Sequence, residues 1–433
     1  MIKKISHSFL KLLVAISLFI FVSLQKIKNI RGRKRKLILV LLPEKFIEDL
    51  RFIEDSNQYL IIKFSERILN FINLYYKEKV ESDHIYNSSE NIVDKQNILH
   101  EILRASFSFL FKFYKIDAVF TSDFRYRYTI DICIVLQKKF SVPWIVLHRE
   151  NMYANQMIYK SALGRYKKFG KFFGTKIFVH NEVTKKLLTQ SGFASMSQIK
   201  VLGCIRMDEL FKLNKRKYEK KNIILFSFKK RTKVYQDFKD PEINQLVKLY
   251  NNTIYPDEIF DTTHTEFIKL AKEYPKIDFI IRTKKMFMKS NFWQKNLKRS
   301  FKNVNGSSNL KNLIIDYDTN LYDLLKESYF VIGMDTSAIL EASIINLPVI
   351  IPYFNCIKNK KYNKILNFYD YFDCFDTPAN KMDLIMIMKS RIKDFSSSQR
   401  VYKKRKKLFE KYFYKFDCNH LKRYIDAINA EID

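Results

Sequence analysis

Glycine and proline are scarce in this 433-residue chain, at 8 each. Their usual shares are about 7% and 5%. No GxGxxG motif occurs. Cysteine is also sparse: Cys133, Cys204, Cys356, Cys374 and Cys418 are odd in number and widely spaced. They form no CxxC pair and no His/Cys cluster, which argues against a disulfide framework or structural zinc and fits reduced thiols in a cytosolic setting. Only one long apolar run exists, so a polytopic membrane protein is excluded. Acidic residues are few, at 45 against 78 Lys+Arg, giving a net charge of +33. What is abundant is Lys, Asn, Ile, Phe and Tyr, the drift expected of an AT-rich coding sequence. The 47% hydrophobic and 15% aromatic content supports a folded core and excludes wholesale disorder. The length suggests two or three domains.

A basic excess of this size points to anionic membrane, phosphorylated substrates or nucleic acid. No zinc-finger, helix-turn-helix or RNP-type signature accompanies it, so no specific nucleic acid is expected. The single apolar run, Phe9–Leu24, is broken only by Lys11 and two serines. As a helix it covers about 24 Å, against a bilayer core of roughly 30 Å. No small-x-small cleavage site follows, and Lys26–Lys36 is rich in Lys and Arg. The expectation is an uncleaved anchor at 1–30, spanning or interfacial, with the rest at the cytoplasmic face of the plasma membrane. The basic stretch would favour anionic lipid.

Beyond the anchor, apolar strand patterns alternate with helical ones. Leu37–Leu42, Tyr59–Phe64, Asp117–Phe120, Trp144–Leu147, Lys176–Val179 and Ile199–Leu202 read as strands with helices between them. Lys212–Lys221 is charged and poor in apolar residues, like a linker. The pattern then restarts at Ile223–Phe228, Asp278–Ile281, Leu313–Ile315, Tyr329–Ile332 and Pro348–Ile351. This predicts an α/β protein with two Rossmann-like, doubly wound parallel sheets. The expected domains are 36–211, 222–380 and a helical tail at 381–433. Ligands of such folds bind near the carboxyl ends of the strands.

The most informative stretch is Leu321–Phe354, LYDLLKESYFVIGMDTSAILEASIINLPVIIPYF. It reads as helix, strand, tight turn, helix, strand. Asp335, Thr336 and Ser337 follow the strand, and Glu341 lies one turn further on the face of Ser337. Backbone N–H groups there suit a phosphate, and Glu341 suits ribose hydroxyls. The alternative is a simple helix cap with Glu341 as a solvated charge. A second stretch, His180–Asp208, ends in GCIRMD.

Both stretches resemble GT-B-fold transferases of surface carbohydrate biosynthesis, including glycerophosphotransferases that use CDP-glycerol and related polysaccharide glycosyltransferases. The first is similar to their donor-binding region, the second to the end of their first domain. The resemblance implies two Rossmann-like domains, with acceptor on the first and nucleotide donor on the second. Two features depart from the glycerophosphotransferases. Ile280–Lys285 (IIRTKK) lacks a "K-x-HP" element, and LHREN at Leu147–Asn151 replaces an "HG" loop. Both favour a sugar transferase.

Arg282 and Lys284 leave a strand at alternate positions and are candidates to neutralise a diphosphate, or ordinary surface bases. Ser227 and Lys229 follow the first strand of the second half and carry the same two readings. His264 is expected to begin a helix, either meeting the donor or capping that helix. For catalysis, His148 and Glu150 follow a buried strand and Asp123 another, with Arg125 and Arg127 nearby. His148 or Glu150 is the expected general base; a local ion pair or cap is the alternative. Asp316 and Asp318 form a DxD by letter but read as a loop turn. No metal and no cofactor are expected; the nucleotide-activated sugar or CDP-linked donor is a substrate.

The expected activity is metal-independent transfer of a sugar from a nucleotide-activated donor to a surface polysaccharide or lipid-linked acceptor. The alternatives are a polyol-phosphate transferase, a sugar-nucleotide epimerase of the same fold, and a noncatalytic protein binding nucleic acid or anionic lipid.

Overall fold

The run LILVLL places apolar side chains on both faces of β1 (Lys36–Leu41), and all but Lys36 are buried. Such a strand needs cover on both sides, which a parallel sheet flanked by helices provides. In the computed structural model the described residues are 35–76, 90–125, 127–149, 151–213, 219–228, 241, 244–245, 248, 256–307, 310–334, 336–354 and 360–433. The apolar run at Phe9–Leu24 and the basic stretch up to Lys34 lie outside them, and so does the expected anchor. Among the described residues no helix is long and apolar enough to cross a membrane.

After β1 come α1 (Ile47–Asp55), β2 (Tyr59–Phe64), α2 (Glu66–Tyr76), α3 (Glu90–Phe111), β3 (Ala118–Thr121), α4 (Arg127–Phe140), β4 (Trp144–Leu147), α5 (Gln156–Lys168), β5 (Lys176–Val179), α6 (Glu182–Gln190), β6 (Ile199–Val201) and α7 (Met207–Leu213). The six strands form one sheet in the order β2-β1-β3-β4-β5-β6. Trp144 is fully buried and ties β4 to β3 through Nε1–H donated to Thr121 Oγ1 at 2.9 Å.

The second series is β7 (Asn222–Phe226), α8 (Pro256–Glu273), β8 (Asp278–Arg282), α9 (Lys285–Met288), α10 (Asn291–Lys302), β9 (Leu313–Asp316), α11 (Leu321–Lys326), β10 (Ser328–Ile332), α12 (Ala338–Ile344) and β11 (Val349–Ile350). Its sheet runs β11-β10-β7-β8-β9. Every strand pairing in the two sheets is parallel among the described residues. β9 is an edge strand, which explains why Ile314 and Ile315 are exposed although its sequence is apolar. The chain closes with α13 (Lys381–Lys393), α14 (Gln399–Phe413) and α15 (His420–Ile432).

The chain folds into two units. One takes its described residues from Met1–Asn151, Ala162–Asp208 and Tyr412–Asp433, the other from Met152–Ser161 and Glu209–Lys411. The last helix, α15, therefore belongs to the first unit. Its Tyr424, Ile425, Ala427 and Ile428 enter the core formed by Ile38, Val40, Phe120 and Phe178. The second unit keeps Asn155, whose Nδ2 donates to the Ile365 carbonyl at 2.8 Å and to Asn367 Oδ1 at 2.7 Å.

Candidate functional site

In the second unit the parallel register lines up the ends of the strands. Ile332 pairs with Leu225, Phe226 with Arg282, and Arg282 with Asp316. Ser227, Thr283 and Gly333 come next along their strands, so one row of residues forms the carboxyl edge of this sheet. A Cβ at Gly333 would lie 3.1 Å from Phe226 Cβ and 3.2 Å from Ile339 Cγ2. A larger residue would crowd the turn between β10 and α12.

Glu341 stands in α12, and all seven residues of this helix are buried. Glu341 itself is only 5% exposed. The alternative reading of Glu341 as a solvated charge therefore fails, because its side chain is buried. Glu341 N–H donates to the Ser337 carbonyl at 3.2 Å. Thr336 Oγ1 accepts from Ala338 N–H at 3.3 Å, while the Ser337 hydroxyl makes no cap hydrogen bond. Asp335 lies outside the described residues.

Ser227 follows β7 and is held in a chain of side chains. His264 Nδ1 lies 2.9 Å from the Phe260 carbonyl, and its Nε2 lies 2.9 Å from Ser227 Oγ. A carbonyl only accepts, so Nδ1 carries the proton and Nε2 accepts from the Ser227 hydroxyl. Trp293 Nε1–H donates to the same Ser227 Oγ at 3.0 Å. Burial pushes the His264 pKa down to about 4, against the raising effect of the Phe260 carbonyl and Asp261. His264 is stacked on Phe260 with ring centroids 3.8 Å apart. Contrary to the expectation from its sequence context, it does not start a helix. α8 begins at Pro256, and His264 is a fully buried mid-helix residue. Lys229 lies outside the described residues.

Arg282 is paired with Asp316, which also accepts from Thr319 Oγ1 at 2.6 Å. Burial raises the Asp316 pKa, but Thr319 and Arg282 outweigh it and hold the carboxyl below its ordinary range. Asp316 thus ends β9 in an ion pair and a turn. Lys284 is exposed and precedes α9. Sequence reasoning passed over Thr283, between these two bases. Its hydroxyl is buried with no hydrogen-bond partner among the described residues.

In the first unit, His148 and His180 follow the neighbouring strands β4 and β5. His148 is fully buried, and its ring stacks on Phe124 at 5.1 Å. Asp123 is buried and held by Arg125 through its backbone N–H and its guanidinium. Glu150 lies outside the described residues, and so does the side chain of Arg127. His180 was not among the candidate residues, although FVH at the end of β5 repeats VLH at the end of β4. Its backbone N–H donates to Asn151 Oδ1 at 3.0 Å. Its pKa is driven well below the ordinary value, first by burial, then by Arg206, His148, Arg149 and His420.

The GCIRMD stretch has a structural role. Gly203 has φ +86°, and a Cβ there would collide with the His420 ring and lie 2.8 Å from the Phe413 carbonyl. Asp208 binds His420 Nδ1 at 2.5 Å and accepts from Leu421 N–H at 3.1 Å. Arg206 faces Asp49 at 3.7 Å and Glu48 at 3.8 Å. Among the described residues no group of three or more His, Cys, Asp or Glu side chains has metal-site geometry.

Solved structures share this arrangement of strands and helices. A putative UDP-N-acetylglucosamine 2-epimerase from Listeria monocytogenes is 10% identical, with a TM-score of 0.50, covering 92% of this chain and 96% of that one. The fold is GT-B. An S. aureus MnaA–UDP structure is 13% identical, with a TM-score of 0.48 and coverages of 92% and 96%. The wall teichoic acid polymerase TagF is 12% identical, with a TM-score of 0.47 and coverages of 92% and 90%. No protein-family profile matches the sequence, and no curated protein matches it. In GT-B terms, the row from Gly333 to Asp316 is the carboxyl edge of the C-terminal Rossmann-like unit. His148 and His180 stand on that of the N-terminal one.

Proposed function

We propose that this GT-B protein is an enzyme that moves a sugar from a nucleotide-activated donor to a surface polysaccharide or lipid-linked acceptor, without a metal ion. The observation that carries the reading is Glu341, a carboxylate buried in a short helix directly after the tight turn that ends β10. A buried carboxylate at the carboxyl edge of a parallel sheet suits two ribose hydroxyls, which donate to it in a dry, oriented site. The resemblance of Leu321–Phe354 to donor-binding regions supports the same role. Thr336 and Ser337 precede it in the turn, and the buried Thr283 hydroxyl stands further along the same sheet edge. Lys284 is an exposed cation on the same edge and suits a diphosphate. Arg282 is engaged by Asp316 and contributes by holding that edge in place.

The test is a thermal-shift screen of the full chain against UDP, GDP, CDP, CMP, ADP and TDP and their sugar conjugates. A ligand specific for the native state adds about 2.7 kcal/mol at a hundredfold excess over its dissociation constant. One nucleotide is expected to raise the unfolding temperature, and Glu341→Gln, close in shape, to abolish most of that shift. No shift with any nucleotide, or an equal shift in the variant, would sink the donor assignment. Stabilisation by a CDP-polyol alone would favour polyol-phosphate transfer. Conversion of a sugar nucleotide with no acceptor present would favour epimerisation.

A further inference from the structure

The amino edge of the first sheet carries a surface that the donor reading does not use. Its strands are parallel, and the register aligns their starts. Ile38 pairs with Ala118, Val119 with Trp144, Ile145 with Lys176 and Ile177 with Ile199. The segments that lead into β3, β4, β5 and β6 therefore lie side by side, at the opposite edge from His148 and His180. Contacts tie neighbouring segments together. Phe111 stacks on Phe140 at 4.7 Å, Lys138 Nζ lies 5.7 Å from the centre of the Phe173 ring, and Gln198 Nε2 donates to the Gly174 carbonyl at 2.9 Å.

Three of these segments hold a large apolar side chain in water. Phe113, Phe173 and Met196 are 50%, 39% and 68% exposed. Phe109, also exposed, meets Phe113 with ring centroids 5.4 Å apart. Single exposed apolar residues are ordinary, whereas a row of them along one edge marks an interaction surface. Lys112, Lys138, Lys139 and Lys171 stand exposed around the row. None of the four has a carboxylate partner among the described residues. Other bases on this edge are balanced: Lys36 by Asp433, Lys176 and Lys200 by Glu431. The surface is therefore apolar at its tips and positive at its rim.

The chain also enters the fold at this edge, because β1 begins at Lys36. The apolar run Phe9–Leu24 ends twelve residues earlier, and the stretch between is basic. A connection of that length reaches at most about 40 Å. An anionic bilayer matches both features. Its headgroups complement the lysines, at about 1 kcal/mol for each one near the surface. Half-exposed rings add little buried area, so charge supplies the attraction and the apolar tips select the face that lands.

We propose that the amino edge of the N-terminal sheet, at Phe113, Phe173, Met196 and their lysine rim, docks on the interface of an anionic bilayer. The docking does not rest on the transferase reading, but it bears on the acceptor. The edge with His148 and His180 then faces away from the lipid, which suits the free end of a polysaccharide better than a lipid headgroup.

The experiment is acetylation of the full chain by an N-hydroxysuccinimide ester, read lysine by lysine with peptide mass spectrometry. The probe is vesicles of mixed phosphatidylcholine and phosphatidylglycerol. With lipid about tenfold above the dissociation constant, Lys112, Lys139 and Lys171 should be acetylated about tenfold more slowly. Lys45 and Lys186, towards the carboxyl edge of the same sheet, should keep their rates. In a chain carrying Lys112→Glu and Lys139→Glu, Lys171 should return to its rate without lipid, whether or not Phe9–Leu24 still holds the protein on the vesicle. Unprotected edge lysines, equal protection of Lys45 and Lys186, or full protection of Lys171 in the double variant overturns the proposal. So does protection by pure phosphatidylcholine as strong as that by the anionic mixture. Slower acetylation of the edge as protein concentration rises without vesicles would make a second copy the occupant, and overturns it too. The nucleotide screen is independent of every one of these outcomes.

Discussion

At the scale of single residues, His264 links local packing to stability. Its buried imidazole sits between the Phe260 carbonyl and Ser227, and burial lowers its pKa to about 4. An unfolded chain binds the proton at about 6.5. Between those values the unfolded state holds more protons than the folded one, so stability rises with pH. The contribution is fully present above pH 6.5 and is lost as pH falls towards 4. Over that interval it amounts to about 3 kcal/mol. The two tryptophans make this measurable, because Trp144 lies in the first unit and Trp293 contacts the Ser227–His264 pair in the second. In a Trp144→Phe background, urea unfolding followed by Trp293 fluorescence should show stability falling from pH 7 to pH 4.5. His264→Gln, which does not titrate, should flatten that slope. An unchanged slope would mean that His264 is not the group responsible.

At the scale of elements, α15 is the clearest dependence. It contributes four residues to the core over the first sheet, and its start is fixed by Asp208, 212 residues earlier in sequence. Asp208→Ala removes two hydrogen bonds and leaves His420 and the Leu421 N–H to find other partners, at an expected cost of about 2–3 kcal/mol. Gly203→Ala forces a Cβ into the His420 ring at a positive φ, and should cost about 2–4 kcal/mol. Trp144 fluorescence should report both losses, and Trp293 neither. The sequence made most strands legible, because buried parallel strands are continuous apolar runs, and β1, β4 and the last three residues of β5 are that kind of run. It also made the helix, strand, tight turn, helix and strand around Glu341 legible. It did not reveal the role of GCIRMD, because the partners of Gly203 and Asp208 lie at the far end of the chain. Nor did it place His264, although Pro256 at the first position of α8 is a helix-start signal that the sequence carries. The ion pair of Arg282 with Asp316 was equally hidden, whereas that of Asp123 with Arg125 was within reach of the sequence. In a Lys-rich chain nothing in the pattern separates a paired base from a ligand-binding one.

At the scale of the whole molecule, the charge of +33 and the apolar run at Phe9–Leu24 make different predictions about membranes. Charge attraction to anionic lipid is worth about 1 kcal/mol per surface-near Lys or Arg and is screened beyond roughly 10 Å at 0.1 M salt. Burial of apolar side chains is not screened by salt. α14 shows how much of the basic surface is spare. Lys403, Lys406 and Lys407 are exposed, whereas Arg405, 2% exposed, is engaged by the Cys374 and Leu347 carbonyls. The full chain should therefore sediment with vesicles containing anionic lipid at both low and high salt. A chain lacking Met1–Lys28 should bind them at low salt and be released at about 0.5 M, where the Debye length has shrunk to roughly 4 Å. Neutral vesicles separate the two contributions, because they should retain the full chain and never the shortened one. If both chains leave the anionic vesicles at high salt, the apolar run does not anchor the protein and charge alone brings it to the surface. If both stay, apolar surface elsewhere in the molecule holds them, and the expectation attached to Phe9–Leu24 fails.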